Sequence, residues 1–133
     1  MASSTSLDLT RTYLDLQADG KVAEIPVSET FWQDLMSGGV RIEGRMVMAA
    51  EMTADMRHWE MHPAGDEVLV LMNGRAIVVL EEPDGPRQIE VSAGEVVIVP
   101  RGCWHRIKVV EPGKMVFMTA GDGTENKPFE DAV

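Results

Sequence analysis

At 133 residues with 44% apolar side chains, the chain is sized for one domain, 1–133, able to bury a core without metal or disulfide staples. A formal charge of −10 and a pI near 4.6 set it against nucleic acid and phosphate-rich surfaces, and no apolar run reaches the roughly 18 residues of a membrane helix. The single Cys103 cannot build an internal disulfide framework. Residues 1–6 are small and polar, with neither the basic start nor the apolar stretch of a secretory signal, so the expected location is the cytoplasm.

Taken in order, residues 1 to about 10 are expected as a frayed tail. Residues 12–16 and 21–27 predict short strands around the turn Ala18-Asp19-Gly20. Ser28 as N-cap, with Glu29 in the first turn, predicts one short helix through Leu35 that Gly38-Gly39 stops. From Val40 onward, strands of 5 to 8 residues alternate with turn chemistry at Pro63-Ala64-Gly65-Asp66, Asn73-Gly74, Ala93-Gly94, Pro100-Arg101-Gly102 and Glu111-Pro112-Gly113. Strands at intervals of about ten residues predict an all-β sandwich or barrel. Beyond Met118 the periodicity is lost: 121–128 reads as a loop, and 125–133 is expected to be mobile.

Segments 68–72, 76–80 and 96–99 are apolar at every position, whereas a strand with one wet face alternates. Both faces are therefore expected to be covered, by the N-terminal segment or by a second copy, and a homodimer is predicted.

The polar exceptions in this apolar region are His58, Glu60, His62, Glu67 and His105. The strand period of two puts His58, Glu60 and His62 on one face and Arg57, Trp59 and Met61 on the other. Residues two apart lie about 6.6 Å apart along a strand, so Glu60 and His62 can converge on one ion; His58 and His62, about 13 Å apart, cannot without a bend. Glu67 follows a four-residue turn and is expected on the neighbouring strand beside Glu60 or His62. His105 comes from a distant strand entered through Pro100-Arg101-Gly102. Two imidazoles and two carboxylates form a mixed nitrogen and oxygen donor set that offsets a divalent charge and leaves positions for water or substrate. The oxygen-rich set leans towards Mn²⁺ or Fe²⁺, with Zn²⁺ and Ni²⁺ also compatible.

These residues carry a resemblance to small single-domain cupins. The first cupin motif ends in a His-x-His pair, four residues, Glu, six residues and Gly, which His62, Glu67 and Gly74 match. The second, Gly, five residues, Pro-x-Gly, two residues and His, is met by Gly94, Pro100, Gly102 and His105. The motifs cover 60–74 and 94–105, and the Gly-x-Gly-Thr run within 119–128 is similar to the C-terminal segment of many small cupins. The sequence departs from the pattern at Glu60, which replaces the first histidine of the pair, and at Val109, where asparagine is usual. The resemblance implies a double-stranded β-helix, the cupin jelly-roll barrel, to which the short N-terminal helix read above is added. It implies a metal near the mouth ligated by His62, Glu67 and His105, with Glu60 in the fourth place and His58 as a replacement on a bulged strand or as a neighbour of the site.

The function this implies is a metal-dependent enzyme acting on a small polar organic molecule by oxygenase, isomerase, decarboxylase or hydrolase chemistry. Glu60 or His58 would move the proton. The alternative is a metal-free cupin that binds or senses a small ligand. Of the ten methionines, Met46, Met48, Met52 and Met56 offer an adaptable apolar lining but are expected to fill core. Trp59 and Trp104 are expected in packing or a dimer interface, Arg45 in solvent, and Cys103 as a small buried thiol.

Overall fold

The computed structural model describes residues 4–130; the outermost residues of the two ends expected to be mobile, 1–3 and 131–133, lie outside that range. Eleven strands and one helix are present among the described residues: β1 Thr12–Leu16, β2 Val22–Pro26, α1 Phe31–Ser37, β3 Arg45–Met52, β4 His58–Met61, β5 Glu67–Leu71, β6 Arg75–Glu82, β7 Gly85–Ser92, β8 Val96–Val99, β9 His105–Glu111, β10 Gly113–Thr119 and β11 Glu125–Pro128. They form two antiparallel sheets, ordered β2-β1-β3-β10-β5-β8 and β11-β4-β9-β6-β7, in a jelly-roll arrangement. Among the described residues, no helix is long and apolar enough to cross a membrane.

Alternation decides which side chains meet between the sheets. Leu69 and Leu71 of β5, Val97 and Val99 of β8 and Met115 of β10 face Ala76, Val78 and Leu80 of β6, Val91 of β7 and Ile107 of β9 in one closely packed cluster. A second cluster sits at the N-terminal end of the larger sheet, where Tyr13, Phe31 and Met46 are buried together and the Tyr13 and Phe31 rings meet edge to face at 5.1 Å. The segment before β3 is clamped by the buried Asp15, whose carboxylate accepts 2.8 Å bonds from the Glu43 and Gly44 amides. Gly44 passes so close to the Leu16 carbonyl that a Cβ would lie 1.9 Å from its oxygen.

Two local expectations are corrected. The helix begins at Phe31, not at Ser28 or Glu29, because 28–30 is a turn in which the Phe31 amide bonds the Ser28 carbonyl. Its stop is as read: Gly38 takes φ +87° and donates to the Leu35 carbonyl. The stretch 121–128, read as a loop, ends in β11, which adds to β4 with Asn126 opposite Glu60; four polar-to-mixed residues carry no alternating apolar signal, and pairing with an existing edge supplies the order. Cover on both faces is achieved by one chain for β6, where Val79 is also buried. It is not achieved for β8, where Val96 and Ile98 remain 55% and 60% exposed.

Candidate metal centre

Antiparallel register places Glu60 of β4 directly opposite His105 of β9. His62 follows β4, and two bonds dock its turn on the one that leads into β9: the Gly102 amide to the His62 carbonyl at 3.0 Å and the Arg101 amide to Asp66 Oδ1 at 2.8 Å. Gly102 holds φ +79°, a conformation that favours glycine. Thus the two motifs meet in space through their turns.

Glu67 arrives differently from the sequence expectation. Its strand β5 pairs with β8 and β10 in the opposite sheet, so the turn 63–66 crosses from one sheet to the other and Glu67 reaches the site across the barrel. Neighbouring strands in a sequence need not pair, and a four-residue turn is compatible with either path. Glu67 Oε1 lies 2.9 Å from His105 Nε2 and Oε2 lies 3.3 Å from His62 Nε2. The Thr119 hydroxyl donates to Glu67 Oε2 at 2.6 Å.

Glu60, His62 and His105 offer ligand atoms within 4.8 Å of one another, a group that could hold a metal ion, and Glu67 borders two of them. His58 does not join the group: its Nε2 contacts Glu60 Oε1 at 3.2 Å, while the other Glu60 oxygen lies 3.9 Å from His62 Nε2. The strand face is as expected, since His58, Glu60 and His62 all line one cavity while Trp59 packs against Phe129 on the other side.

The hydrogen bonds behind the imidazoles orient them. Thr124 Oγ1 donates its one proton to the Gly121 carbonyl at 2.8 Å, so at 2.8 Å from His62 Nδ1 it accepts. His105 Nδ1 faces the Cys103 carbonyl at 3.1 Å, which only accepts. Both rings therefore carry hydrogen on Nδ1 and turn Nε2 towards the carboxylates. His62 Nε2 is buried 3.3 Å from Glu67 Oε2, and with the ring hydrogen on Nδ1 it makes no hydrogen bond among the described residues. Burial alone would raise the Glu67 carboxyl, but the His105 and His62 rings beside it outweigh that and hold it down at about 2. Burial would correspondingly lower His105, and Glu67 outweighs it, so the ring is raised.

Thr119 and Thr124 were not singled out in the sequence. Thr124 belongs to the Gly-x-Gly-Thr run and was findable there; Thr119 ends an apolar strand and gives no signal. The methionines fill core as expected, Met46 and Met48 in the N-terminal cluster and Met52 and Met56 against the main one, and all four also line a cavity of about 870 Å³ that opens from the site, where β3 turns its even-numbered residues inward. Arg45 is exposed. Trp104 lies under the Lys127 ammonium, 4.4 Å from the ring centroid, and Cys103 is half-buried against the core.

The family model described as "Cupin domain" matches residues 45–121. Among solved structures, oxalate decarboxylase from Bacillus subtilis is similar at 22% identity and TM-score 0.50, over 64% of this chain and 23% of that one. A Neisseria meningitidis protein is similar at 22% identity and TM-score 0.50, over 60% of this chain and 78% of that one. The chain thus spans about a quarter of the decarboxylase. No curated protein matches the chain by sequence.

Proposed function

Since the chain belongs to the cupin domain family, we propose that it is a metal-dependent cupin enzyme whose ion is held by Glu60, His62, Glu67 and His105 and which acts on a small organic molecule bound in the adjoining cavity. One observation carries this reading: His62 Nε2 is buried, unpartnered and directed at carboxylates. With water denied by burial, a nitrogen that faces carboxylates needs a proton or a metal ion between them, and the imidazoles and carboxylates gathered on this one point make it a donor set for the metal. The donor set is that of a divalent transition ion with open positions, and such an ion, when bound, polarises a substrate oxygen as a Lewis acid.

The chain's own groups supply the rest. Thr124 and the Cys103 carbonyl fix the two rings by their Nδ1 hydrogens, and Thr119 fixes Glu67. Glu60 has one oxygen towards His62 and the other towards His58, so a proton taken up by Glu60 or His58 can pass between them at 3.2 Å. His58 is partly exposed, which gives this pair access to solvent. The Mn(II) centres named for the Bacillus subtilis decarboxylase make Mn²⁺ the first ion to try. The exposed Val96 and Ile98 support a second copy of this chain as the partner that covers β8.

Protein purified without chelators is expected to contain close to one equivalent of Mn, Fe, Zn or Ni by elemental analysis, and one of these added to chelated protein is expected to raise its melting temperature. The double substitution His62→Ala and Glu67→Ala removes both effects. Less than about a tenth of an equivalent, together with no thermal response to any of the four ions, would exclude the metal reading and leave a metal-free ligand-binding cupin.

A further inference from the structure

From the cavity's register and charge we infer that the substrate is an uncharged molecule with a hydrocarbon body and one metal-binding oxygen, of the class of a medium-chain ketone. The proposal rests on the metal reading only for the oxygen.

Register ties the polar end of the cavity to its walls. Met46 of β3 stands opposite Thr119 of β10, whose hydroxyl holds Glu67, so these residues mark the level of the site. One strand period away, about 6.6 Å, Met48 pairs with Phe117, which pairs in turn with Leu69. A further period on come Ala50, Met115 and Leu71. Every side chain in these two rows is apolar, and Met48, Phe117 and Ala50 line the cavity itself. Met56 adds to the wall, and Leu35 of α1 with Ile42 of the clamped segment close it on the other side. The volume of about 870 Å³ falls within the roughly 300–1,000 Å³ of sites that enclose a drug-sized ligand. A small dianion would leave most of this apolar wall uncovered.

Charge disfavours the other common candidate, a carboxylate. The two positive charges of a bound divalent ion are matched by Glu60 and Glu67. Among the described residues lining the cavity, the remaining formal charges are Arg41 and Asp122, one of each sign. The whole chain carries −10. An anion entering this site gives up its hydration where the formal charges of the lining and a bound divalent ion sum to zero and the guanidinium among the described lining residues, Arg41, is exposed to solvent, whereas a neutral carbonyl oxygen incurs far less. Thioether side chains on three positions of β3 and on Met56 adapt to a hydrocarbon of variable shape.

The test is titration calorimetry of Mn²⁺-loaded protein with alkan-2-ones from butanone to nonan-2-one, beside the straight-chain carboxylates of equal carbon number at pH 7.5. Affinity is expected to rise by two- to fourfold for each methylene, and each carboxylate to bind at least tenfold more weakly than its ketone. Met48→Gln is expected to flatten the length dependence while Mn²⁺ still binds at one equivalent, which serves as the control for folding. A flat ketone series in the unsubstituted protein, or carboxylates that bind as tightly as ketones, overturns the proposal whether or not any variant folds. The same series on chelated protein separates the two readings. Failure of Mn²⁺ to bind when added back, with the length dependence intact, overturns the metal reading and keeps the apolar cavity; metal uptake with a flat series does the reverse.

Discussion

The Thr124 hydroxyl selects which nitrogen of His62 faces the site, and it does so with one proton already committed to the Gly121 carbonyl. Replacing it by Val keeps the shape and removes the acceptor, so His62 loses its preferred tautomer. Thr124→Val is expected to weaken Mn²⁺ binding by about 10–100-fold with little change in the far-ultraviolet spectrum, as measured by competition with a metallochromic chelator. The Glu67–His105 pair gives a pH signature to the metal-free protein. Because His105 is raised above its ordinary 6.5, its stabilisation is complete below that pH and is lost as pH rises through the folded value. Because Glu67 is lowered from 4.5 to about 2, its contribution is complete above 4.5 and is lost as pH falls through about 2. The pair thus stabilises the metal-free fold most between these ordinary values. Metal binding needs the same Nε2 deprotonated. Calorimetry at pH 6 and pH 8 should therefore show the melting-temperature gain from Mn²⁺ increasing with pH, and His105→Gln should remove the increase.

Among the elements, the segment between α1 and β3 is the one whose position the cavity depends on most. Val40, Arg41 and Ile42 line the cavity, yet this stretch belongs to neither sheet, and the buried Asp15 carboxylate holds it through two backbone amides. Asp15→Ala leaves both amides without that acceptor, at a cost of about 1–3 kcal/mol for a buried unsatisfied group. Urea unfolding is expected to show that loss, together with weaker binding of hydrophobic ligands and unchanged metal stoichiometry. Gly44→Ala is expected to destabilise by about 1–3 kcal/mol through overpacking, since its Cβ would collide with the Leu16 carbonyl. The helix is short and has one buried side chain, Phe31, so its role is to close the cavity mouth more than to build core.

At the scale of the whole molecule, the outer face of the larger sheet is unfinished in a single chain. Val96 pairs with Val70 and Ile98 with Val68, which joins two exposed side chains to two half-buried ones in a continuous apolar patch at the sheet edge. Such a patch is more consistent with an interface than with a wet surface. Light scattering at micromolar concentration is expected to give twice the 14.6 kDa chain mass, and Ile98→Glu to give a monomer that still takes up metal. A monomeric mass for the unsubstituted protein would overturn the homodimer.

By itself the sequence determined most of the strands and their turns and the identity of the polar residues within apolar strands, because those signals are local: alternation, Gly and Pro positions, and motif spacing. The pairing of Glu60 with His105 followed from nothing local, although the two motif spacings indicated that the residues would meet. Only the tertiary structure decided that Glu67 reaches the site from the opposite sheet, that β11 adds to β4, that Thr119 and Thr124 hold the site residues, and that the methionines of β3 border open space as well as core. These depend on which strands become neighbours and on where the barrel stays open. Interior and cavity lining are the same to a periodicity argument, since both place an apolar side chain inward; what separates them is whether an opposing side chain arrives to fill the space.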